Sequence, residues 1–336
     1  MNTNTETKKE IDEYKSESSD QLHVILGVNG NAGRYIAQEL LNKGYKVRGI
    51  SRSGKGPENV ETIKADALNY EELKQALTGA SVVYHCLGIP YSKWTNQHPL
   101  IMNNLIDAAY ASKNGSPIKI VFADNLYAFG ERGAKLGPMN ENTPLLATDK
   151  KGLLRKQIES MLFEAGKEGK IIASVGKASD FFGPDATNSL FEHFVRPKIM
   201  NHKTTEIFGN LHALHSYIYV KDFARGLVTL GTSDKANGQV FVLPHFEAIS
   251  IESFISKFYI QSGVNIPKKV KTSPFIFLKL AGLFSKEIRE YEKMVYQMKN
   301  DWVIDDSKFR STFPDYDITP LEKAFEETFT WYEENN

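Results

Sequence analysis

Gly27-Val28-Asn29-Gly30-Asn31-Ala32-Gly33 lies between two contrasting stretches of chain. Ahead of it, Leu22 to Val28 is apolar and rich in β-branched residues, the composition of a buried strand. Behind it, Tyr35 to Leu41 carries apolar residues at helical spacing. A glycine trio at this junction has a physical use. The first glycine permits a tight turn, the second lets backbone approach a pyrophosphate, and the third lets the helix pack closely on the strand. Backbone N–H groups of Asn29, Gly30, Asn31 and Ala32, together with the helix dipole, then face the phosphates.

Working outward, the strand-and-helix alternation continues. Tyr45 to Ile50, Val60 to Lys64, Val82 to Leu87, Ile118 to Ala123 and Ile171 to Val175 read as further strands. Tyr70 to Leu77, Leu100 to Ser112 and Asp149 to Ala165 read as helices between them. Parallel neighbours require crossover connections, so this order predicts an α/β fold with a doubly wound parallel sheet. Past residue 183 the alternation loosens into helices near Ser189 to Met200, Phe223 to Leu230, Ile251 to Gln261 and Leu321 to Glu334. The expected organisation is a polar, disordered tail over 1–20, a nucleotide-binding domain over 21–182 and a smaller α+β substrate lobe over 183–336. Strands of the two parts are free to interleave. Phe275 to Phe284, apolar but too short to span a bilayer, is expected as a helix over the substrate pocket.

The bulk numbers fit this picture. A chain of 336 residues with 41% hydrophobic content can bury a large core. Lys plus Arg, at 41, balance Asp plus Glu, also at 41, which argues against a general nucleic-acid or membrane-surface binder. The single cysteine, Cys86, has no internal disulfide partner, and Met1 to Asp20 lacks the apolar run of a secretory leader. Both features point to a reducing, cytoplasmic setting. Cys86 itself, inside an apolar strand, reads as a packing residue. His193, His202, His212 and His215 show no metal-ligand spacing, so no metal is expected.

The end of the second strand selects the cofactor. A carboxylate there would hold the ribose hydroxyls of NAD(H) and repel a 2′-phosphate. This chain has Ser51-Arg52-Ser53 instead, and an arginine donates charge-assisted hydrogen bonds to a phosphate. Arg52 therefore argues for NADP(H) over NAD(H). Asp66, just past the third strand, is placed either to meet the adenine amino group or to form a turn.

With these residues in place the chain resembles the extended short-chain dehydrogenase/reductases, the NAD-dependent epimerase/dehydratase group, and a Rossmann-type sheet is implied. The resemblance runs from Leu22 to about Glu333. It rests on the glycine turn, on Val82-Val83-Tyr84-His85-Cys86-Leu87-Gly88, on Asp180-Phe181-Phe182-Gly183-Pro184, and on Ser216-Tyr217-Ile218-Tyr219-Val220-Lys221-Asp222. It implies that Cys86, Leu87 and Gly88 line the cofactor. It also implies a small carbonyl- or hydroxyl-bearing substrate, nucleotide sugars included, and a homodimer.

One part departs from the family pattern. Family enzymes carry a serine or threonine after the fifth strand, then a tyrosine and a lysine four residues apart on the next helix. Aligned on Gly130, Asn125 takes the serine position, and aligned on Glu159, Lys151 and Arg155 take the tyrosine and lysine positions. The expected catalytic set is therefore Asn125 to polarise a carbonyl, Lys151 or Tyr127 to handle the proton, and Arg155 to hold the ribose. Asp124 is expected to join a polar cluster with Asn125, Tyr127 and Lys151. Tyr91 and Trp94 either cap the cofactor or cover the sheet edge. A second reading is a non-catalytic NADP(H)-binding redox sensor, motivated by the lost tyrosine-lysine pair.

Overall fold

The computed structural model describes residues 20–186, 189, 191–192, 195–263, 270–285, 288–289 and 292–335. The expected tail lies outside them apart from Asp20, as does His193. Strands β1 (Leu22–Leu26), β2 (Lys46–Ser51), β3 (Glu61–Lys64), β4 (Ala80–His85), β5 (Lys119–Asn125) and β6 (Ile172–Ala178) follow the predicted order. A seventh strand of the same sheet comes from much later in the chain, at Gln239–Val242 beside β6. From that edge the order is Gln239–Val242, β6, β5, β4, β1, β2, β3, and every pairing is parallel. This is a Rossmann-type α/β fold.

Helices α1 (Asn31–Asn42), α2 (Tyr70–Ala76), α3 (Trp94–Ser112) and α4 (Lys150–Lys167) form the crossovers. Local chemistry starts two of them. The Asn69 side chain accepts from the amides of Glu71 and Glu72 at the head of α2, and Asp149 accepts from Lys151 and Gly152 at the head of α4. One sheet face buries Leu73, Met102, Leu105 and Leu162 beneath α2, α3 and α4. The other face buries Ile36, Leu40, Leu227 and Leu230 under α1 and α5 (Val220–Thr232). Each such side chain contributes about 1.5–3 kcal/mol when removed from water. A third cluster, around Phe182, Phe254, Phe258 and Phe325, forms the core of the later residues.

Among the element boundaries that differ from the sequence reading, three have identifiable reasons. Helix α3 starts at Trp94, ahead of Pro99, because Trp94 and His98 are buried one turn apart and hold that extra turn. Strand β5 runs on to Asn125 and β6 to Ala178 because Asp124 and Lys177 sit opposite each other in register and pair as ions. Charged residues read as strand ends here lie inside the sheet. Phe275–Phe284 is a helix, α6, whose Phe275 ring lies tilted 6.5 Å from that of Phe208. Ile276, Phe277, Leu280 and Leu283 on it are exposed.

Candidate cofactor cleft and catalytic centre

Sheet order reverses between β4 and β1, and in open parallel sheets a ligand crevice opens beyond the carboxyl ends of the strands at that point. The glycine turn follows β1, and Cys86, Leu87 and Gly88 follow β4, so both loops flank the crevice. They touch. A Cβ on Gly27 would lie 2.9 Å from Leu87 Cα. Gly33 is under a tighter constraint, since a Cβ there would lie 2.3 Å from the Gly27 carbonyl oxygen, which only the missing side chain avoids. Helix α1 begins at Asn31 with Gly30 as its N-cap and no side-chain cap on its first amides.

The predicted adenosine side is assembled around one carbonyl. Asn29 Nδ2 donates to the Lys55 oxygen at 2.6 Å and Ser51 Oγ donates to the same oxygen at 2.7 Å, folding the 51–55 loop against the turn. Arg52 is exposed at the end of β2, and no ion pair or hydrogen bond engages it among the described residues. Asp66 uses Oδ1 to accept from the Leu68 amide at 3.0 Å, the turn geometry that a short acidic side chain favours. Cys86 Sγ lies 3.4 Å from the Leu26 carbonyl, and burial pushes its thiol up to about 12, so it stays protonated.

The predicted catalytic residues divide into two groups. In the first, Asn125 Oδ1 accepts from the Tyr127 amide at 3.0 Å and closes the turn that presents Tyr127. The Tyr127 and Tyr91 hydroxyls are 3.0 Å apart, and Lys151 Nζ stands 4.1 Å over the Tyr91 ring. Gly152 allows this grouping, because a Cβ there would lie 2.4 Å from the Tyr127 carbonyl oxygen and push α4 away. Burial drives the Tyr127 pKa well above that of a free phenol, and neighbouring Tyr91 and Asp180 add to the shift. Tyr91 is raised for the same leading reason.

The second group lies beneath the first. Arg155 packs its guanidinium 4.4 Å over the Trp94 ring, and its Nε is 3.5 Å from Asp124 Oδ1. Lys177 Nζ reaches Asp124 Oδ2 at 2.9 Å and Glu159 Oε2 at 2.6 Å. Burial works against the Lys177 charge, but Asp124 and Glu159 outweigh it and its pKa is raised. Asp124 thus faces Lys177 and Arg155, while Asn125, next along the strand, points to the opposite side. Alternation along β5 explains why Asp124 does not join Tyr127 and Lys151 as expected. His85 and His98 complete this layer. Burial followed by the Arg155 charge lowers His85 to about 3 and His98 to about 2, so both are neutral.

Sequence reasoning missed Lys177 as a partner of Asp124 and left Tyr91 undecided. A signal for Lys177 existed. A lone lysine between Gly176 and Ala178 in an apolar strand requires a buried counter-ion.

Residues 23–243 match the pattern of the NAD dependent epimerase/dehydratase family, about two thirds of the chain. The chain therefore belongs to that family. Among curated relatives, it is 26% identical over 147 residues to dTDP-6-deoxy-L-talose 4-dehydrogenase (NAD(+)) of Aggregatibacter actinomycetemcomitans, covering 42% of this chain and 54% of the relative. It is 23% identical over 292 residues to 3beta-hydroxysteroid-dehydrogenase/decarboxylase isoform 2 of Arabidopsis thaliana, covering 77% of this chain and 51% of the relative. The chain thus spans about half the length of each of these two relatives. Among solved structures, the UDP-glucuronic acid 4-epimerase of Bacillus cereus in complex with NAD superposes with a TM-score of 0.74 at 20% identity, covering 94% of this chain and 99% of that one. No helix among the described residues is long and apolar enough to cross a membrane.

Proposed function

We propose that the chain is an NADP(H)-dependent oxidoreductase that reduces a carbonyl through a tyrosine pair, Tyr127 and Tyr91, in place of the family's tyrosine and lysine. The observation that carries this reading is the Tyr127 hydroxyl, hydrogen-bonded to Tyr91 under the Lys151 ammonium. It stands at the carboxyl end of the sheet, on the same side as the glycine turn.

The residues present fit a nicotinamide dinucleotide. Side-chain-free Gly27, Gly30 and Gly33 form a cradle that a Cβ would fill or distort. The first amides of α1 carry no side-chain cap and suit a pyrophosphate. Ser51 and Arg52 would receive the adenosine 2′-phosphate. Arg155 Nη1, buried with no hydrogen-bond partner among the described residues, is a donor that ribose hydroxyls would satisfy. When bound, the cofactor supplies the hydride.

The chain's own residues supply the proton. The Tyr127 hydroxyl holds its proton at neutral pH, burial opposes its loss, and the nearby Lys151 ammonium would favour that loss as the donor acts. It donates to the substrate oxygen as charge builds there, and the Tyr91 hydroxyl and Lys151 ammonium stabilise the phenolate left behind. Asn125, whose Oδ1 is fixed by the Tyr127 amide, turns its amide N–H groups to the carbonyl. NADPH consumption with a panel of aldehydes and ketones tests this. Turnover of at least one member, faster with NADPH than with NADH, is expected. Tight NADPH binding without turnover of any would favour the redox-sensor reading instead.

A further inference from the structure

A narrow cleft opens beside Asp180, walled by Phe191, Phe208, Tyr217, Ile255 and Met298. Among the described residues lining it, the ones that carry charge are Asp180 and Glu206, both carboxylates. Asp180 is fixed in place: its Oδ2 lies 3.0 Å from Nε2 of His215, a ring that is fully buried and lies tilted against Tyr217 with centroids 4.7 Å apart. The Asp180 side chain stays 27% exposed, so it also faces the cleft. The same carboxylate is close enough to act electrostatically on the Tyr127 and Tyr91 hydroxyls. Asn125 pairs with Ala178 where β5 and β6 end, so Tyr127 and Asp180, each two residues further on, leave the sheet at the same end, and the cleft opens on the side of the proposed catalytic pair.

Resting on the oxidoreductase reading above, we infer that this cleft takes an uncharged substrate with an apolar, ring-bearing body, and that Asp180 determines specificity by accepting a hydrogen bond from a substrate hydroxyl. A nucleoside diphosphate is the opposite of what such walls receive. Its two phosphates need cations or converging N–H donors to replace their water. Among the described lining residues they would meet two carboxylates of like charge and mostly apolar or aromatic side chains. An apolar ring instead gains from leaving water, and the aromatic walls pack on its faces. Asp180, held by His215, then fixes which way round the ring sits.

The test begins with calorimetric titration of NADPH into the whole chain, followed, in its presence, by acetophenone, 3-hydroxyacetophenone and UDP-glucose. Both ketones are expected to bind, the hydroxylated one roughly tenfold more tightly, about one hydrogen bond to a charged group. UDP-glucose is expected neither to bind nor to displace them. Asp180→Asn should remove the tenfold preference, read as the ratio of the two ketones' KM values within the variant, so that any effect of Asp180 on Tyr127 common to both ketones cancels. UDP-glucose binding more tightly than either ketone would overturn the inference while leaving the oxidoreductase reading standing, as would binding of no ketone by an NADPH-loaded chain. Failure to bind NADPH at all would remove the underlying reading and this inference with it. Because the titrations use the unmodified chain, they decide the matter even if Asp180→Asn does not fold.

Discussion

Tyr127→Phe is expected to lower kcat by roughly 100- to 10,000-fold, the range for losing a positioned proton donor. NADPH affinity should be unchanged, because the phenyl ring keeps the packing of Tyr127 against Trp94, whose ring centroids are 6.1 Å apart. The fall follows from where the proton is held. Burial first, and then Tyr91 and Asp180, keep the Tyr127 hydroxyl neutral far above physiological pH. A group with a raised acid pKa keeps its proton as pH rises, so wild-type reduction should hold level through the alkaline range below that pKa. Steady-state rates across pH check both statements. Lys151→Ala separates the two candidate donors. If Lys151 were the donor, its loss would abolish turnover and Tyr127→Phe would leave most of it. The arrangement seen here predicts the reverse order of severity, with Lys151→Ala the milder change.

Lys177→Met is expected to destabilise the fold by about 3–5 kcal/mol, the cost of stranding a buried charge. The layer holds two carboxylates, Asp124 and Glu159, against two cations, Lys177 and Arg155. Side-chain exposure is 1% for Lys177 and 0% for Asp124, so water cannot replace the lost partner. Removing Lys177 leaves the layer one negative charge in excess, with Arg155 at 3.5 Å as the remaining cation near Asp124. Thermal unfolding should show a drop of roughly 10 °C, taking a few degrees per kcal/mol. Asp124→Leu in the same chain should recover part of it, because the layer is then balanced in charge again, Glu159 against Arg155. An unchanged melting temperature in Lys177→Met would contradict the account of this layer.

The fold was legible because its signals are local. Gly27, Gly30 and Gly33 between an apolar strand and a helical pattern state the β1–α1 unit in seven residues, and alternation of the next five strands states the parallel sheet. What sequence could not show was which residues leave their own element to meet another. Lys177 and Asp124 are 53 positions apart and meet only because β5 and β6 pair in that register. Tyr91 and Tyr127 are 36 apart and meet only because Gly152 lets α4 settle on the Tyr127 backbone. Gln239–Val242 is a four-residue strand whose place in the main sheet depends on β6 having a free edge. Asp180 reads in sequence either as reaching the pocket or as orienting backbone at its loop, and its orientation comes from His215, 35 positions later.

Calorimetric titration of the purified chain with NADPH and with NADH tests the central claim most directly. Exposed Arg52 and the absence of a carboxylate in Ser51-Arg52-Ser53 predict that NADPH binds at least tenfold more tightly, the effect of about one charge-assisted hydrogen bond to the 2′-phosphate. Equal affinity, or a preference for NADH, would contradict the role given to Arg52, and binding of neither would contradict the cofactor cleft itself.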